Sequence, residues 1–363
     1  MKLLLVVGAR PNFMKIAPID RECQSRGIET ILVHTGQHYD ENMSDVFFQD
    51  LNMRRPDIHL NIGSASHSVQ TAKILIEFEK VCIAEQPSMV VVVGDVNSTI
   101  ACTLVAKKMN IPVAHVEAGL RSGDMSMPEE INRLMTDCVA DLLLTPSQDA
   151  DINLKNEGIA SNRIQFVGNI MIDSLLDAIG RCGMVAEERF GLSGDYALLT
   201  LHRPSNVDTK ESLEPLIQTM HEIAKSTPIL FPVHPRTRIR LENFGLMDYL
   251  STQHGIHISE PLGYLEFISV MSKSKIVLTD SGGLQEETTA LGLPCLTLRE
   301  NTERPITIHE GTNQLVGTSK ERILSAYKEI KERNFSTTGR IPKYWDGQTS
   351  SRIINSIVGY LDE

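Results

Sequence analysis

Several features that would assign a chain to a common class of protein are missing from this sequence. Its six cysteines show no C-x-x-C spacing, so neither a zinc site nor a disulfide framework is indicated, and we expect reduced thiols in the cytoplasm. Basic residues number only 35 against 46 acidic ones, and the net charge of −11 argues against a broad nucleic-acid surface. The first apolar run is too short for a signal peptide or a membrane span, so no membrane association is expected.

The composition that remains is ordinary for a globular chain of one large domain or two domains, with 363 residues, 41% hydrophobic and 22% charged. Apolar runs bounded by turns alternate with segments of helical spacing, such as residues 97–109 and 129–139. This alternation predicts an α/β fold with doubly wound parallel sheets, repeated twice. The predicted strands are residues 3–7, 30–34, 89–93, 113–116 and 142–145 in the first half, and 196–201, 229–233, 257–258, 276–279 and 295–298 in the second.

A domain boundary is predicted near Gly168, where a short strand ends before the next helix. We expect an N-terminal domain of residues 1–168 and a C-terminal domain of residues 169–345. The last helix follows a break rich in proline and glycine, so residues 346–363 are predicted to cross back onto the first domain.

Two predicted strands end in glycine turns that lead into helices. The first turn, at Gly8, precedes a helix that carries Arg10 and Lys15, and the second is the sequence Ser281-Gly282-Gly283. Free backbone N–H groups and the positive end of the helix dipole make such turns anion sites. One turn in each half of the chain predicts a diphosphate held in a cleft between the domains.

Polar side chains follow six predicted strands, at the carboxyl ends where open α/β sheets bind ligands. In chain order they are Arg10 and Lys15, Asp95, Glu117, His202 and Arg203, His234, and Asp280 with Ser281. One such match would mean little, but six predict a real site. Asp95, Glu117 and Glu129 form a trio of carboxylates beside the basic residues, which is typical of general acid–base chemistry.

Each of these residues also has a simpler structural explanation. Asp95 could cap the following helix, and the pair Glu129-Glu130 could be only partners of a helix dipole. His202 and His234 could be core histidines, and the pair Glu286-Glu287 could lie on a solvated face. Capping does not explain why three carboxylates share one rim with basic side chains, so the catalytic interpretation is preferred.

Eight motifs span essentially the whole chain. They are G-A-R-P-x-x-x-K at 8–15, T-G-Q-H at 35–38, G-D-x-x-S-T at 94–99, H-V-E-A-G-L-R at 115–121, P-E-E-x-N-R at 128–133, P-V-H-P-R at 232–236, T-D-S-G-G-x-Q-E-E at 279–287 and T-E-R-P at 302–305. In order and spacing they resemble the non-hydrolysing UDP-N-acetylglucosamine 2-epimerases. The resemblance implies a GT-B-type fold of two Rossmann-like domains with UDP in the cleft. It also implies interconversion of UDP-N-acetylglucosamine and UDP-N-acetylmannosamine with no cofactor and no metal.

The same resemblance implies a mechanism and a set of site residues. UDP would leave carbon 1 as the carbon-2 hydrogen is removed, and its return with protonation from the opposite face would invert carbon 2. The implied catalytic residues are Asp95, Glu117, Glu129 and His202. The implied ligands of the UDP-sugar are Arg10, Lys15, Arg203, His234, Ser281, Gly282, Gly283, Arg304 and, at the ribose hydroxyls, Glu287.

Regulation and assembly can also be compared with the family. Gln37, His38 and Gln70 correspond to a possible allosteric site, but Val69 stands where substrate-regulated bacterial members carry an arginine. We therefore expect weak regulation and near-hyperbolic kinetics. The family implies a homodimer, for which the apolar stripe Val69-Ala72-Ile76 is a candidate contact; packing of this stripe on its own sheet is the alternative.

Other functions stay open at this point. A GT-B glycosyltransferase would share the UDP half-site but would need an acceptor pocket, and a hydrolysing 2-epimerase would release free sugar. A nucleotide-sugar sensor would have no use for the three carboxylates. The loop before Pro128 is shorter than in some relatives, which leaves a UDP-diacetamido sugar or a uronic-acid derivative as an alternative substrate.

Overall fold

The chain divides into two compact units, each built around its own parallel sheet. The computed structural model describes residues 1–36, 45–183, 185–192, 194–252 and 254–362. Unit 1 comprises Met1–Leu176 and Lys343–Glu363, and unit 2 comprises Asp177–Pro342.

Strands and helices alternate along both units. The strands are β1 (Lys2–Val7), β2 (Glu29–His34), β3 (Ile58–His59), β4 (Met89–Val93), β5 (Val113–Val116), β6 (Leu142–Thr145), β7 (Ile164–Phe166), β8 (Ala197–Thr200), β9 (Ile229–Pro232), β10 (Ile256–Ser259), β11 (Ile276–Thr279), β12 (Cys295–Thr297) and β13 (Asn313–Leu315). The helices are α1 (Arg10–Ser25), α2 (Asp45–Asp50), α3 (His67–Glu85), α4 (Asn97–Lys108), α5 (Pro128–Val139), α6 (Gln148–Asn156), α7 (Ile170–Arg181), α8 (Val185–Phe190), α9 (Pro204–Val207), α10 (Lys210–Ala224), α11 (Pro235–Asn243), α12 (Leu246–Thr252), α13 (Tyr264–Lys273), α14 (Gly282–Ala290), α15 (Ile306–His309), α16 (Lys320–Glu332) and α17 (Thr349–Asp362).

The sheet of unit 1 has seven strands within the described residues, all paired in parallel in the order β3-β2-β1-β4-β5-β6-β7. The strand order reverses between β1 and β4, where Leu3 pairs with Met89. Such a switch point opens a crevice at the carboxyl ends of the strands, which is where open α/β sheets bind ligands. Gly8 follows β1 and Gly94 follows β4, so the two loops that carry candidate site residues begin at this point.

Unit 2 repeats the arrangement with six parallel strands, counted over the part of the chain that is described, in the order β10-β9-β8-β11-β12-β13. Its switch point lies between β8 and β11, where Thr200 pairs with Thr279. His202 and Asp280 follow these two strands. Two doubly wound parallel sheets in one α/β chain confirm the predicted fold class.

The long apolar runs of the sequence form the central strands. Each residue of β4 (Met89–Val93) is at most 1% exposed, as expected for a parallel strand covered by helices on both faces. Strands β3 and β13 were not predicted, because two and three residues are too few to show a periodic pattern.

Contacts of the C-terminal segment extend unit 1 into helix α7. The buried carboxylate of Asp173 accepts hydrogen bonds from the backbone N–H groups of Thr349 and Ser350 at 3.1 and 2.8 Å, which caps the start of α17. The buried indole of Trp345 donates to the carbonyl oxygen of Pro146 at 3.1 Å. Both contacts lie within unit 1.

These contacts explain where the two units divide. Unit 1 ends at Leu176 rather than at Gly168, because the first turns of α7 are bonded to the C-terminal helix. It resumes at Lys343 rather than at residue 346, because Trp345 is anchored in unit 1.

Two observations concern the described residues as a whole. No helix among them is long and apolar enough to cross a bilayer. All six cysteines are free thiols. Burial raises the pKa of the Cys295 thiol to about 11, which keeps it in the unreactive protonated form.

Candidate active site

The glycine turn after β1 differs from the expected anion site. Asn12, in the first turn of α1, accepts hydrogen bonds from the backbone N–H groups of Gly8 and Ala9 at 3.1 and 2.9 Å. Its amide nitrogen donates to the carbonyl oxygen of Val93 at 3.2 Å, which ties the turn to β4. The expectation of free N–H groups at Gly8 was therefore wrong, because an asparagine side chain occupies them.

Two cationic side chains of α1 bring positive charge to the switch point instead. Arg10 is exposed, and its guanidinium lies over the ring of Phe47, 5.0 Å from the centroid. Lys15 forms an ion pair with the carboxylate of Glu117, and the two side chains are 12% and 6% exposed. A Cβ added at Gly94, where φ is +67°, would approach Nζ of Lys15 to 3.1 Å, so a larger residue there would crowd this pair.

Asp95, the second candidate carboxylate, is held by helix α5. Arg133 donates to Oδ2 of Asp95 from Nε at 3.0 Å and from Nη2 at 2.7 Å. Asn132 donates to the backbone carbonyl of Asp95 at 2.9 Å, and Glu130 accepts from Nη1 of Arg133 at 2.5 Å. Helix α4 begins with Val96 as its N-cap, so the explanation of Asp95 as a helix cap was wrong.

Helix α5 turns charged side chains inward and apolar side chains outward. Its buried residues are Glu130, Arg133, Thr136 and Asp137. Ile131 and Met135, by contrast, are 46% and 48% exposed. The candidate Glu129 is half-buried in the first turn, next to Glu130, whose carboxylate accepts hydrogen bonds from the N–H groups of residues 122–123. Burial alone would raise the pKa of Glu130, but these N–H groups and Arg133 lower it below its ordinary value.

In unit 2 the turn at Ser281 leaves the start of its helix accessible. Helix α14 begins at Gly282, so the N–H groups of its first turn point out of the helix. A Cβ added at Gly283 would meet no atom within 4 Å, and one added at Gly282 would meet only Oε2 of Glu303, at 3.9 Å. A ligand oxygen can therefore approach this backbone closely.

Asp280 organises the loop after β8. Its fully buried carboxylate accepts hydrogen bonds from the backbone N–H groups of His202 at 3.0 Å and Arg203 at 2.9 Å, and from the amide of Asn206 at 3.2 Å. The same carboxylate lies 2.8 Å from Nδ1 of His202. Burial alone would raise the pKa of Asp280, but His202 and the N–H donors lower it below its ordinary value. The carboxylate therefore fixes both the backbone and the ring of His202.

The two candidate histidines of unit 2 lie close together at the surface. The ring centroids of His202 and His234 are 5.7 Å apart. Burial and the neighbouring His202 lower the pKa of His234 below its ordinary value. The explanation of both as core histidines was wrong, since the His202 side chain is 38% exposed and His234 is exposed.

Of three carboxyl groups near the second turn, two have pKa values shifted in opposite directions. Glu286 and Glu287 are only 3% and 5% exposed, so the explanation as a solvated face was wrong. Glu286 forms an ion pair with Nε of Arg304 at 2.9 Å. Burial, and then Glu286, raises the pKa of Glu287 to about 8, so Glu287 is mostly protonated at neutral pH. Burial opposes ionisation of Glu303 as well, but Arg299 lowers its pKa to about 2.

The possible allosteric residues are described only in part. Gln37 and His38 lie outside the described residues. Gln70 is buried; its amide nitrogen donates to the carbonyl oxygen of Gly63 at 3.1 Å, and its Oε1 accepts from Asn97 at 2.8 Å. Gln70 thus joins the start of α4 to the loop before α3.

Three side chains that build the site were not among the predicted site residues, although two of them belong to the P-E-E-x-N-R motif. Arg133 and Asn132 hold Asp95, and Asn12 closes the turn at Gly8. A signal was present for Arg133, because it lies three residues after Glu130 and therefore on the same side of the helix. The composition of that helix does not reveal that its charged side faces inward.

The sequence is similar to those of known proteins along nearly its whole length. The family described as UDP-N-acetylglucosamine 2-epimerase matches residues 21–358. A Methanocaldococcus jannaschii protein named UDP-N-acetylglucosamine 2-epimerase is 44% identical over 98% of each chain. The chain belongs to the UDP-N-acetylglucosamine 2-epimerase family.

Two further comparisons bear on fold and substrate within this family. The crystal structure of the Methanocaldococcus jannaschii UDP-GlcNAc 2-epimerase, in complex with UDP-GlcNAc and UDP, matches 99% of this chain and 100% of its own, with a TM-score of 0.86 at 44% identity. A UDP-2,3-diacetamido-2,3-dideoxy-D-glucuronate 2-epimerase of Pseudomonas aeruginosa is 40% identical over 97% of this chain and 98% of its own. The resemblance drawn from the eight motifs is thus confirmed, including the GT-B-type fold class.

The raised pKa of Glu287 predicts a pH-dependent stability. The folded state retains a proton that an unfolded glutamate, with its ordinary pKa of 4.5, releases as the pH rises towards 8. Stability is therefore lost progressively between about pH 4.5 and 8, and Glu287→Gln should remove this loss. We expect the variant to melt roughly 8–16 °C above the ligand-free wild type at pH 8, and within about 3 °C of it at pH 5, by scanning calorimetry.

A matched variant tests whether this effect comes from burial. Glu242→Gln makes the same chemical change at an exposed position of α11 and should leave the melting temperature unchanged at both pH values. A Glu287→Gln gain that is equal at pH 5 and pH 8 would contradict the buried protonated carboxyl.

Proposed function

We propose that this chain interconverts UDP-N-acetylglucosamine and UDP-N-acetylmannosamine without hydrolysis. The observation that carries the proposal is the placement of two carboxylates in ion pairs beyond neighbouring strands of unit 1. Asp95 follows β4 and pairs with Arg133, and Glu117 follows β5 and pairs with Lys15. Carboxylates fixed against cations beside a nucleotide-sugar site are suited to removing and returning a proton.

The chemistry of the sugar explains why several such groups are needed. A carbon-2 hydrogen beside an acetamido group is not acidic, so its removal is coupled to departure of UDP from carbon 1. The products of this step are an enzyme-held 2-acetamidoglucal and UDP. Protonation of carbon 2 from the opposite face, with UDP returning to carbon 1, inverts the centre. The proton and the UDP are both returned, and no electron is gained or lost overall.

We assign the acid and base roles to Asp95, Glu117 and Glu129. His202 is assigned to the pyrophosphate and hexose, because Asp280 fixes its ring and leaves it partly exposed. The roles are divided by position: Asp95 and Glu117 follow strands, whereas Glu129 lies in the first turn of α5. Groups on different elements can approach the two faces of one sugar carbon, as inversion requires.

We assign UDP to the cationic and accessible backbone groups. These are Arg10, Lys15, Arg203, His234, Ser281, Gly282, Gly283 and Arg304. The accessible start of α14 supports diphosphate binding there, because first-turn N–H groups and the helix dipole favour an anion. Glu287 is assigned to the ribose hydroxyls, for which a protonated carboxyl can both donate and accept a hydrogen bond.

A related substrate is the second candidate. The Pseudomonas aeruginosa relative at 40% identity is named for a UDP-diacetamido-glucuronate, so the carbon-2 chemistry can serve a sugar with more substituents. Parallel assays with UDP-N-acetylglucosamine and this diacetamido sugar separate the two. The substrate with the higher kcat/KM is then the one to which the site is adapted.

The elimination route predicts exchange with solvent. In deuterated water, product formed from UDP-N-acetylglucosamine should carry deuterium at carbon 2, because the returned proton comes from a group that exchanges with water. Proton NMR should show no free N-acetylmannosamine at early times. Retention of the original hydrogen would rule out this route, and early free sugar would indicate a hydrolysing enzyme.

Substitutions should separate chemistry from binding. Asp95→Asn, Glu117→Gln and Glu129→Gln should each lower kcat roughly 10²–10⁴-fold, while UDP affinity in titration calorimetry changes little. Arg10→Ala and Glu287→Ala should instead weaken UDP roughly 10–100-fold, as expected for lost hydrogen bonds to charged or buried groups. Equal effects of all five variants on UDP affinity would refute this division of roles.

We also propose that the chain acts as a homodimer in the cytoplasm, joined through unit 1. Val69, Ile76 and Ile83 of α3 are 47%, 58% and 61% exposed, so the alternative that this stripe packs on its own sheet was wrong. Helix α4 packs against both α3 and α5, whose Ile131 and Met135 are also exposed. An apolar surface of this kind on two helices of one layer is typical of a protein interface.

Charge placed on this surface should separate the subunits. The double variant Ile76→Lys with Met135→Lys should elute as a 40.4 kDa monomer in light-scattering chromatography, whereas the wild type has twice that mass. Ile239→Lys, at a 56% exposed position of unit 2, is the control and should stay dimeric. A wild type that is monomeric at micromolar concentration would exclude the dimer.

A further inference from the structure

His115 is a fully buried histidine of β5 that hydrogen bonds through both ring nitrogens. Its Nδ1 lies 2.6 Å from Oδ1 of Asp137 on α5. Its Nε2 lies 2.8 Å from the carbonyl oxygen of Gly94. The ring therefore joins β5, α5 and the loop after β4, and binding of a UDP-sugar accounts for none of these contacts.

Both partners of the ring are acceptors. A backbone carbonyl has no proton to donate. Oδ2 of Asp137 accepts hydrogen bonds from Nη1 of Arg121 at 2.8 Å and from the backbone N–H of Gly119 at 3.0 Å, a pattern that stabilises a carboxylate. A neutral imidazole has one N–H and one lone pair, and that lone pair would face an acceptor at 2.6 or 2.8 Å. The two contacts therefore require a proton on each nitrogen.

We propose that His115 is a buried imidazolium that positions Asp95 and Glu117, a role that rests on the proposed epimerisation. The carbonyl that the ring binds belongs to the residue directly before Asp95, so the ring fixes the start of that loop. The second oxygen of Asp137 accepts from the backbone N–H of Gly119 at 3.0 Å, two residues after Glu117. One buried pair thus anchors both loops that carry candidate catalytic carboxylates.

The charges around the ring support the protonated form. Asp137 faces it from α5, and Arg121 of the loop after β5 binds Asp137 at 2.8 Å and Glu157, beyond α6, at 2.7 Å. Arg163 donates to the backbone carbonyl of Asp137 at 3.1 Å, at the negative end of α5. Two carboxylates then share one guanidinium, and the imidazolium of His115 supplies the second cation.

A spectroscopic test addresses the protonation state without any assay of activity. The full-length protein is labelled with ¹⁵N-histidine, and His115→Gln assigns one of the 11 histidine rings. We expect both ring nitrogens of His115 to show the shifts of N–H groups, because each of them faces an acceptor. An unprotonated ring nitrogen in the assigned residue would overturn the proposal.

A kinetic test addresses positioning. His115→Gln and Asp137→Asn should lower kcat for UDP-N-acetylglucosamine about 10–100-fold while KM and the Kd for UDP change less than about twofold, since misplaced catalytic groups affect chemistry more than binding. His257→Gln, at an exposed position of β10, is the control and should match the wild type. A wild-type kcat in His115→Gln would overturn the role, as would a loss of UDP binding in proportion to activity.

The two tests separate this proposal from the proposed function. An inactive wild type would refute the epimerisation and with it the positioning role, while the nitrogen shifts still decide the imidazolium. If the variants fail to fold, as judged by circular dichroism, the labelled wild type still decides the protonation state. A histidine ring with two N–H groups would then be assigned to His115 by its nuclear Overhauser effects to β5 protons.

Discussion

Buried charges must be paired, and in unit 1 this constraint comes from the charged inward side of helix α5. Its inward side carries Glu130, Arg133 and Asp137, where an unpaired charge would cost several kcal/mol. Their partners belong to the loops after β4 and β5, so α5 can pack only when those loops have their final shape. The free energy of packing therefore also orders the groups of the site, and it leaves Ile131 and Met135 on the outer side of α5 exposed.

The loop after β5 contains a strained residue whose backbone conformation is held by such contacts. Glu117 has a φ of +73°, a left-handed conformation that costs a non-glycine residue roughly 1–2 kcal/mol. Its own N–H and that of Ala118 bond to the carbonyl of Leu144 at 3.0 and 3.2 Å, and its carboxylate meets Lys15. Such conformations persist only where the surroundings determine them, and they concentrate at functional sites. The bend directs the Glu117 carboxylate to Lys15 and away from the strand.

The sequence was sufficient for the sheets and for the positions of the polar rim, because fully buried parallel strands such as β4 are continuous apolar runs with polar residues after them. The sequence was insufficient where a side chain forms an unexpected hydrogen bond or is unexpectedly buried. The glycine turn predicted that the N–H groups of Gly8 and Ala9 would be free to bind an anion, but both donate to the side chain of Asn12. Two adjacent acidic residues such as Glu286 and Glu287 are expected from composition to be exposed. Glu287 is nevertheless buried, because of how α14 packs. Such choices follow from tertiary contacts that have no local signature.

The carboxylates assigned to catalysis and the one assigned to the ribose have different surroundings, and the proposed chemistry explains why. Unit 1 keeps Asp95 and Glu117 paired with cations, which fixes the positions of both side chains. Unit 2 keeps Glu287 protonated and the start of α14 accessible, so an incoming diphosphate meets no second negative charge at that carboxyl. Elimination followed by re-addition succeeds only if UDP stays bound while the glucal exists. In the proposed site, an ionised Glu287 would repel the departing diphosphate at the moment its charge is greatest, whereas a neutral Glu287 would hold the ribose without that cost.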